Sequence, residues 1–304
     1  MASHAWQQFW FEPASPVRLA ICRIVFFGLL FLITAPQRHA ALCEISPVFW
    51  VRRGLFGTLR IGLPPAPRVA FLEICWKASL LFACVGLFSP VTMGVAFFLG
   101  YYLKGLPTNL ASPPSMQHFA FAPMVVMLAG FAFSDAGAVL SLDARLYSLP
   151  PPPASGEYTW PLRLGQVALT LMFSCAGAAK LIASGPRWFW SDNLSNMLSL
   201  REANYIDGLV EGSSPVLRGI PTWLARKRVL CRLLGLGTAG VELGYPLALF
   251  SETARMALVP AGAMLMLGFW LVLGVRVLTV TFAYQAFWIP WDRVLAWAQV
   301  RATM

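Results

Sequence analysis

Lys180 is the residue in this chain with the most chemistry within reach. It stands in FSCAGAAKLIASGPRW, near the end of a long apolar run. A lysine held neutral away from water is a general base. Ala176, Gly177, Ala178 and Ala179 precede it, and small residues let another helix or a flat ligand approach closely. A lysine snorkelling to the interface from a helix end explains the same residue, so chemistry alone leaves both roles open. His118, in SMQHFAFAP, stands just before another apolar run. Histidine exchanges a proton near neutral pH, but a lone one at a helix start also serves as an interfacial residue.

Five further charges interrupt apolar runs. Arg23 lies one turn inside the first run, where snorkelling competes with an anion or carbonyl contact. Glu73 and Lys77 are spaced i, i+4 with the acid first, the favourable order for a helix ion pair. Glu242 and Arg276 each need a partner, and each is a candidate for the other. Ionisable groups at membrane depth are costly and face a bundle interior or water.

The composition sets the environment of these residues. Hydrophobic residues make up 58% of the chain and charged residues 12%, with mean hydropathy +0.66. A soluble domain carries about 25% charged residues, so a soluble fold lacks the material for its surface. The net charge of +10 lies in the loops between apolar runs, where it sets orientation and meets anionic lipid. No basic helix interleaved with stacking aromatics appears, so nucleic acid is not expected. The six cysteines are scattered, with no CxxC pair and no zinc spacing; no metal is expected.

A spanning helix needs about 20 mostly apolar residues. The first run extends from near Arg18 to near Pro36, with Ser15 as N-cap and Pro16 at the first helical position. The aromatic stretch before it (Trp6, Phe9, Trp10, Phe11) fits an interfacial belt better than a basic signal-peptide lead. Further runs cover Val69–Phe88, Val91–Leu106, Phe119–Leu140, Leu164–Ala183 and Val229–Phe250. Ser89-Pro90 makes a tight antiparallel link, and Pro150–Pro153 a proline-rich loop. The last stretch, Met256–Trp288, exceeds one span and is one helix broken near Arg276, or two. The expected fold is an all-α polytopic transmembrane helix bundle of about seven spans, within roughly six to nine. It forms a single domain over 1–304, with 184–227 as a long polar connecting segment. Lys and Arg concentrate after spans one and five, so those loops are expected in the cytoplasm and the N-terminus outside.

Four segments then carry a resemblance. PASPVRLAICRIVFFGLLF, MQHFAF, FSDAGAVLSLDARL and AGAAKL followed by Trp188 occur in that order between Pro13 and Pro290. The chain resembles the membrane domain of vitamin K-dependent gamma-carboxylase and the related HTTM group of bacterial membrane proteins. The resemblance implies Lys180 as catalytic base and His118 as its assistant. Arg23, Asp135 and Trp188 are the implied cofactor-binding residues, and Ser141 and Asp143 fall in the same motif as Asp135. In that family a lysine deprotonates a reduced naphthoquinone, and oxygen converts it to an alkoxide. The alkoxide takes a proton from a glutamate γ-carbon, to which carbon dioxide adds, and the quinone leaves as its epoxide. The implied cofactor is a reduced quinone of the vitamin K or menaquinol type. The implied location is the bacterial cytoplasmic (inner) membrane.

The sequence also departs from the family pattern. Met116 and Gln117 precede His118 where the family has an asparagine pair, and a later family histidine falls on Trp270. The family's large lumenal region has no counterpart before Met304. A peptide or protein substrate is therefore expected from a separate chain, with Ser184–Lys227 as the segment able to help it dock. The competing expectation is a non-catalytic membrane partner in the maturation or export of a secreted peptide. A transporter is a third, with Glu73, Lys77, Glu242 and Arg276 along its path.

Overall fold

The computed structural model describes the backbone of residues 2–109, 116–206, 219–273 and 283–302, and the side chains of 4–109, 121–200, 219–273 and 283–297. The described residues form helices joined by turns and irregular loops, with an isolated antiparallel bridge between Ala14 and Ser155. In chain order the helices begin with α1 (Ala2–Phe11), α2 (Pro16–Thr34), α3 (Gly54–Thr58) and α4 (Ala66–Val85). There follow α5 (Ser89–Gly105), α6 (Met116–Ala132), α7 (Leu142–Leu146), α8 (Thr159–Ser184) and α9 (Arg187–Trp190). The chain continues through α10 (Asn193–Ile206), α11 (Ile220–Ala225), α12 (Arg228–Gly244), α13 (Leu247–Phe250) and α14 (Glu252–Leu273). A C-terminal helix covers Trp291–Ala302. Two compact units result, 1–166 with 286–304, and 167–285; the division falls within α8.

In the first unit, α2 begins as its sequence dictates. Ser15 Oγ accepts from Val17 N at 3.3 Å, and Pro16 opens the helix without wasting a donor. α4 and α5 form the expected antiparallel hairpin. Gly86 ends α4 at φ 72°, a left-handed conformation, and Pro90 sits in the first turn of α5. Trp76 Nε1 donates to Ala96 O at 3.1 Å across the hairpin. Phe26, Phe27, Phe131 and Phe287 pack ring against ring at 5.2–6.0 Å. α6 ends at Ala132, not Leu140. Ser134, Asp135 and Gly137 compete with the helix for backbone hydrogen bonds and turn the chain; Ser134 Oγ donates to Phe131 O at 3.1 Å.

Glu73 and Lys77 do pair, at 2.8 Å, and the pair has more partners than its spacing shows. Lys77 Nζ also donates to the carbonyls of Ala35 and Gln37, at 2.9 and 2.8 Å, tying α4 to the end of α2. Glu73 Oε2 accepts from the backbone N of His39 at 2.9 Å. Burial, together with the nearby Lys104, pushes the His39 ring down to about 4 against the opposing pull of Glu73. Lys77 is the cation that answers the carboxylate.

Helix α4 buries Glu73 beside Val69, Trp76 and Leu80 and leaves large apolar side chains exposed. Glu73 is 5% exposed while its neighbours Phe71 and Ile74 are 65% and 67% exposed. α2 likewise buries Arg23 completely and exposes Leu32. Among the described residues three helical stretches are long and apolar enough to cross a membrane: Pro16–Thr34, Gly156–Ser184 and Glu252–Leu273. That is fewer than the sequence runs suggest, for definite reasons. α4 carries Arg68, Glu73 and Lys77 in 20 residues. α5, α6 and α12 have 17 residues each, about 25 Å of helix against a hydrocarbon core of about 30 Å. The expected span Val229–Phe250 breaks at Gly244 into α12 and α13. Arg276 lies outside the described residues, and with it the break expected there.

The Glu73 network gives a stability test. Glu73→Ala should cost about 3 kcal/mol, because it strands the Lys77 ammonium and the His39 amide. Glu73→Ala with Lys77→Ala should cost less than Glu73→Ala alone in thermal unfolding. Equal losses would show that the two side chains do not act as a pair.

Candidate functional site

Lys180 lies on the second unit's part of α8, four residues from the helix end. α12 runs antiparallel beside it, as a ladder of contacts shows. Tyr245 stacks on Phe173 with ring centroids 4.2 Å apart. Leu243 and Glu242 flank Gly177, where a Cβ would come within 2.9–3.0 Å of both. Phe189 O crosses Gly235. Asp192 meets Arg232 at 3.2 Å and Arg228 at 3.6 Å. The run Ala176–Ala179 thus admits a helix, as its small residues suggested.

That register sets Lys180 against Glu242. Lys180 Nζ donates to Glu242 Oε1 in an ion pair, with the lysine side chain 21% and the glutamate side chain 3% exposed. Among the described residues the partner of Glu242 is Lys180; Arg276, the candidate the sequence offered, lies outside them. Gly185, at φ 62°, turns the chain back after α8, and α9 carries Trp188 over the same ammonium. Lys180 Nζ lies 4.8 Å from the Trp188 ring centroid, a cation–π contact. The second carboxylate oxygen, Glu242 Oε2, is buried, and no donor among the described residues reaches it.

Glu242 was singled out as a charge in need of a partner, but not as part of the Lys180 site. One signal could have found it. No cation lies within four residues of it along α12, and GLGTAGVELG offers a small-residue face. A carboxylate there must be answered from another helix, and a helix with its own small-residue face brings Lys180 close enough.

The residues of FSDAGAVLSLDARL gather in the first unit around a different task. Asp143 accepts from Ser89 N at 2.7 Å, Phe88 N at 2.8 Å and Ser89 Oγ at 2.8 Å. It caps the start of α5 from outside that helix. Ser141 Oγ accepts from Ala144 N at 3.0 Å and caps α7. Arg23 reaches from α2 to donate Nη2 to Leu140 O at 2.6 Å. Its guanidinium packs on Gly86, where any Cβ would collide with it. Asp135 is exposed. Of the three residues expected at a cofactor, Trp188 alone borders Lys180 in the second unit, and Arg23 serves as a backbone clamp.

His118 falls on α6, but its side chain lies outside the described residues. Trp270 is on α14. Among the described residues no three His, Cys, Asp or Glu side chains gather as a metal set. An open cleft of about 590 Å³ lies in the first unit, lined by Val85, Leu140, Leu142, Arg145 and Leu149 among others. It does not include Lys180. Comparison with protein-family models, with curated proteins and with solved structures finds no match to this chain.

Asp143 titrates in a way that tests its capping role. Burial raises its proton affinity, but the hydrogen bonds from Ser89 and Phe88 and the charge of Arg23 outweigh it. The net result lies below the usual carboxylate value of 3.8. A depressed carboxylate lends stability that is present above the unfolded value and lost as pH falls through the folded one. Asp143→Asn should cost about 1–2 kcal/mol near neutral pH. It should also flatten the acid limb of the stability curve below pH 4. An unchanged acid limb would remove Asp143 from the account.

Proposed function

We propose that the chain is a polytopic integral membrane protein of about seven spans, related to the gamma-carboxylase-like HTTM group. In this reading it carries out quinol-dependent proton abstraction in a bacterial cytoplasmic membrane. One observation carries the proposal: the Lys180 ammonium and the Glu242 carboxylate meet in the interior beside the Trp188 ring. A buried ion pair is weak as a stabiliser, since desolvation offsets most of its attraction. Its presence in apolar helices calls for another role. The exposed apolar side chains on α2 and α4 support the membrane reading, with lipid against Leu32, Phe71 and Ile74.

The donor set suits a reduced quinone. Trp188 offers a flat aromatic face, and Glu242 Oε2 offers a buried acceptor for a hydroxyl. Such a quinol, when bound, supplies the electrons that reduce oxygen and so generates a strong base. The chain's own residues bind and orient the ring, keep water out and move its hydroxyl proton. Lys180 is central to that transfer, and His118 is its assistant in the family pattern. A peptide or protein substrate from a separate chain then meets the membrane domain. A second reading is a non-catalytic membrane partner for peptide maturation. It is favoured by the closed geometry of the Lys180–Glu242 pair, which also serves to lock α12 against α8.

Two experiments follow from this reading. The Arg-rich loops after α2 and before α12 belong in the cytoplasm. Single cysteines near Arg60 and Arg226 should therefore be labelled from the cytoplasmic side only; labelling of either from outside contradicts the topology. The protein in lipid nanodiscs, given a reduced naphthoquinone, oxygen and bicarbonate, should form quinone epoxide. Lys180→Ala should lower the rate about 100-fold or more while keeping the fold. Wild-type protein that forms no epoxide, with or without peptide substrate, would leave the partner-protein reading.

A further inference from the structure

We propose that Glu242, rather than Lys180, accepts the proton at this site, and that Lys180 stays charged to hold the oxyanion left behind. The inference rests on the reading of Lys180 as the centre of a site for a flat, hydroxyl-bearing ring. It changes which side chain does what within that site.

Three observations point the same way. Lys180 Nζ already has two partners suited to an ammonium, the Glu242 Oε1 atom and the Trp188 face at 4.8 Å. Both are partners of the kind an ammonium takes. Glu242 has one oxygen engaged and one free: Oε2 is buried, and no donor among the described residues reaches it. Its side chain is 3% exposed, so the free acceptor faces the interior and not bulk water. A carboxylate has about four lone-pair sites, and among the described residues this buried oxygen is left without a donor. A ring hydroxyl meets it.

Charge counting supports the same division of labour. With Lys180 as ammonium and Glu242 as carboxylate, the pair is neutral before a ligand arrives. The ligand O–H bond then breaks, the proton moves to Glu242 Oε2, and the electron pair stays on the ligand oxygen beside Lys180 Nζ. The site remains neutral throughout, with the oxyanion in place of the carboxylate as partner of the ammonium. For Lys180 to act as base while Glu242 is ionised, the site must first hold a buried carboxylate with no cation. That arrangement is strongly unfavourable.

The test uses 1-naphthol as probe. It carries one ring hydroxyl and undergoes no epoxidation, and its absorbance distinguishes naphthol from naphtholate. The full chain in phosphatidylcholine nanodiscs is titrated at a pH where the free probe is protonated. Wild-type protein should bind it with a naphtholate band. Lys180→Arg keeps the charge and the ion pair but is not a base, so the band should persist at reduced amplitude. Glu242→Gln should bring the band to baseline. Because that change strands Lys180, a charge-free double variant, Lys180→Gln with Glu242→Gln, repeats the measurement and should also lack the band. A band that survives Glu242→Gln, vanishes in Lys180→Arg, or never forms in the wild type overturns the inference. The epoxide assay judges the functional reading separately. Epoxide from the wild type together with a band in Glu242→Gln leaves the reading standing and the assignment of Glu242 refuted.

Discussion

The Lys180–Glu242 ion pair ties chemistry to architecture in the second unit. α12 lies close to α8 because Gly177 presents no side chain to Leu243 and Glu242. Close approach brings the carboxylate to the ammonium, and the pair then resists any slip of register. A slip of one residue would turn each charge toward an apolar neighbour, at a cost of several kcal/mol for a lone buried ion. The stacking of Tyr245 on Phe173 and the Asp192 contacts to Arg228 and Arg232 follow at the spacing this register sets. Trp188 reaches the ammonium because Gly185 takes a left-handed conformation that reverses the chain.

The first unit answers its buried charges by the same rule and with different partners. Arg23 is met by a backbone carbonyl in the turn after α6, and Glu73 by Lys77 and the His39 amide. Asp143 answers the free amides at the start of α5. In each case a polar side chain replaces water for groups that helix ends and apolar surroundings leave unmet. Several of these contacts join segments distant in sequence, so they tie the helices and turns of the unit together.

Local features were legible in the sequence. Ser15-Pro16 opens α2 as its residues require, Ser89-Pro90 lies at the turn between α4 and α5, and the i, i+4 spacing of Glu73 and Lys77 gives a real pair. The meaning of Ala176–Ala179 was legible too, though not which helix it admits. What could not be read depends on tertiary register. Glu242 is 62 positions from Lys180, and no periodicity within either helix encodes their meeting. Helix ends were misread where apolar composition continues past the helix. Phe133–Leu140 is apolar enough to extend α6, but Ser134, Asp135 and Gly137 turn it toward Arg23 and Ser89. Asp143 and Arg23, matched to family motifs, hold backbone groups with their side chains.

The account stands on Glu242 being ionised and paired with Lys180 in the resting protein. An infrared difference spectrum between the wild type and Glu242→Gln measures this directly, because carboxylate and protonated carboxyl groups absorb in separate regions. The account predicts that the substitution removes carboxylate absorbance and leaves the protonated carboxyl region unchanged. Loss of a protonated carboxyl band would contradict it, since a neutral Glu242 neither holds the Lys180 ammonium nor accepts a proton from a ligand.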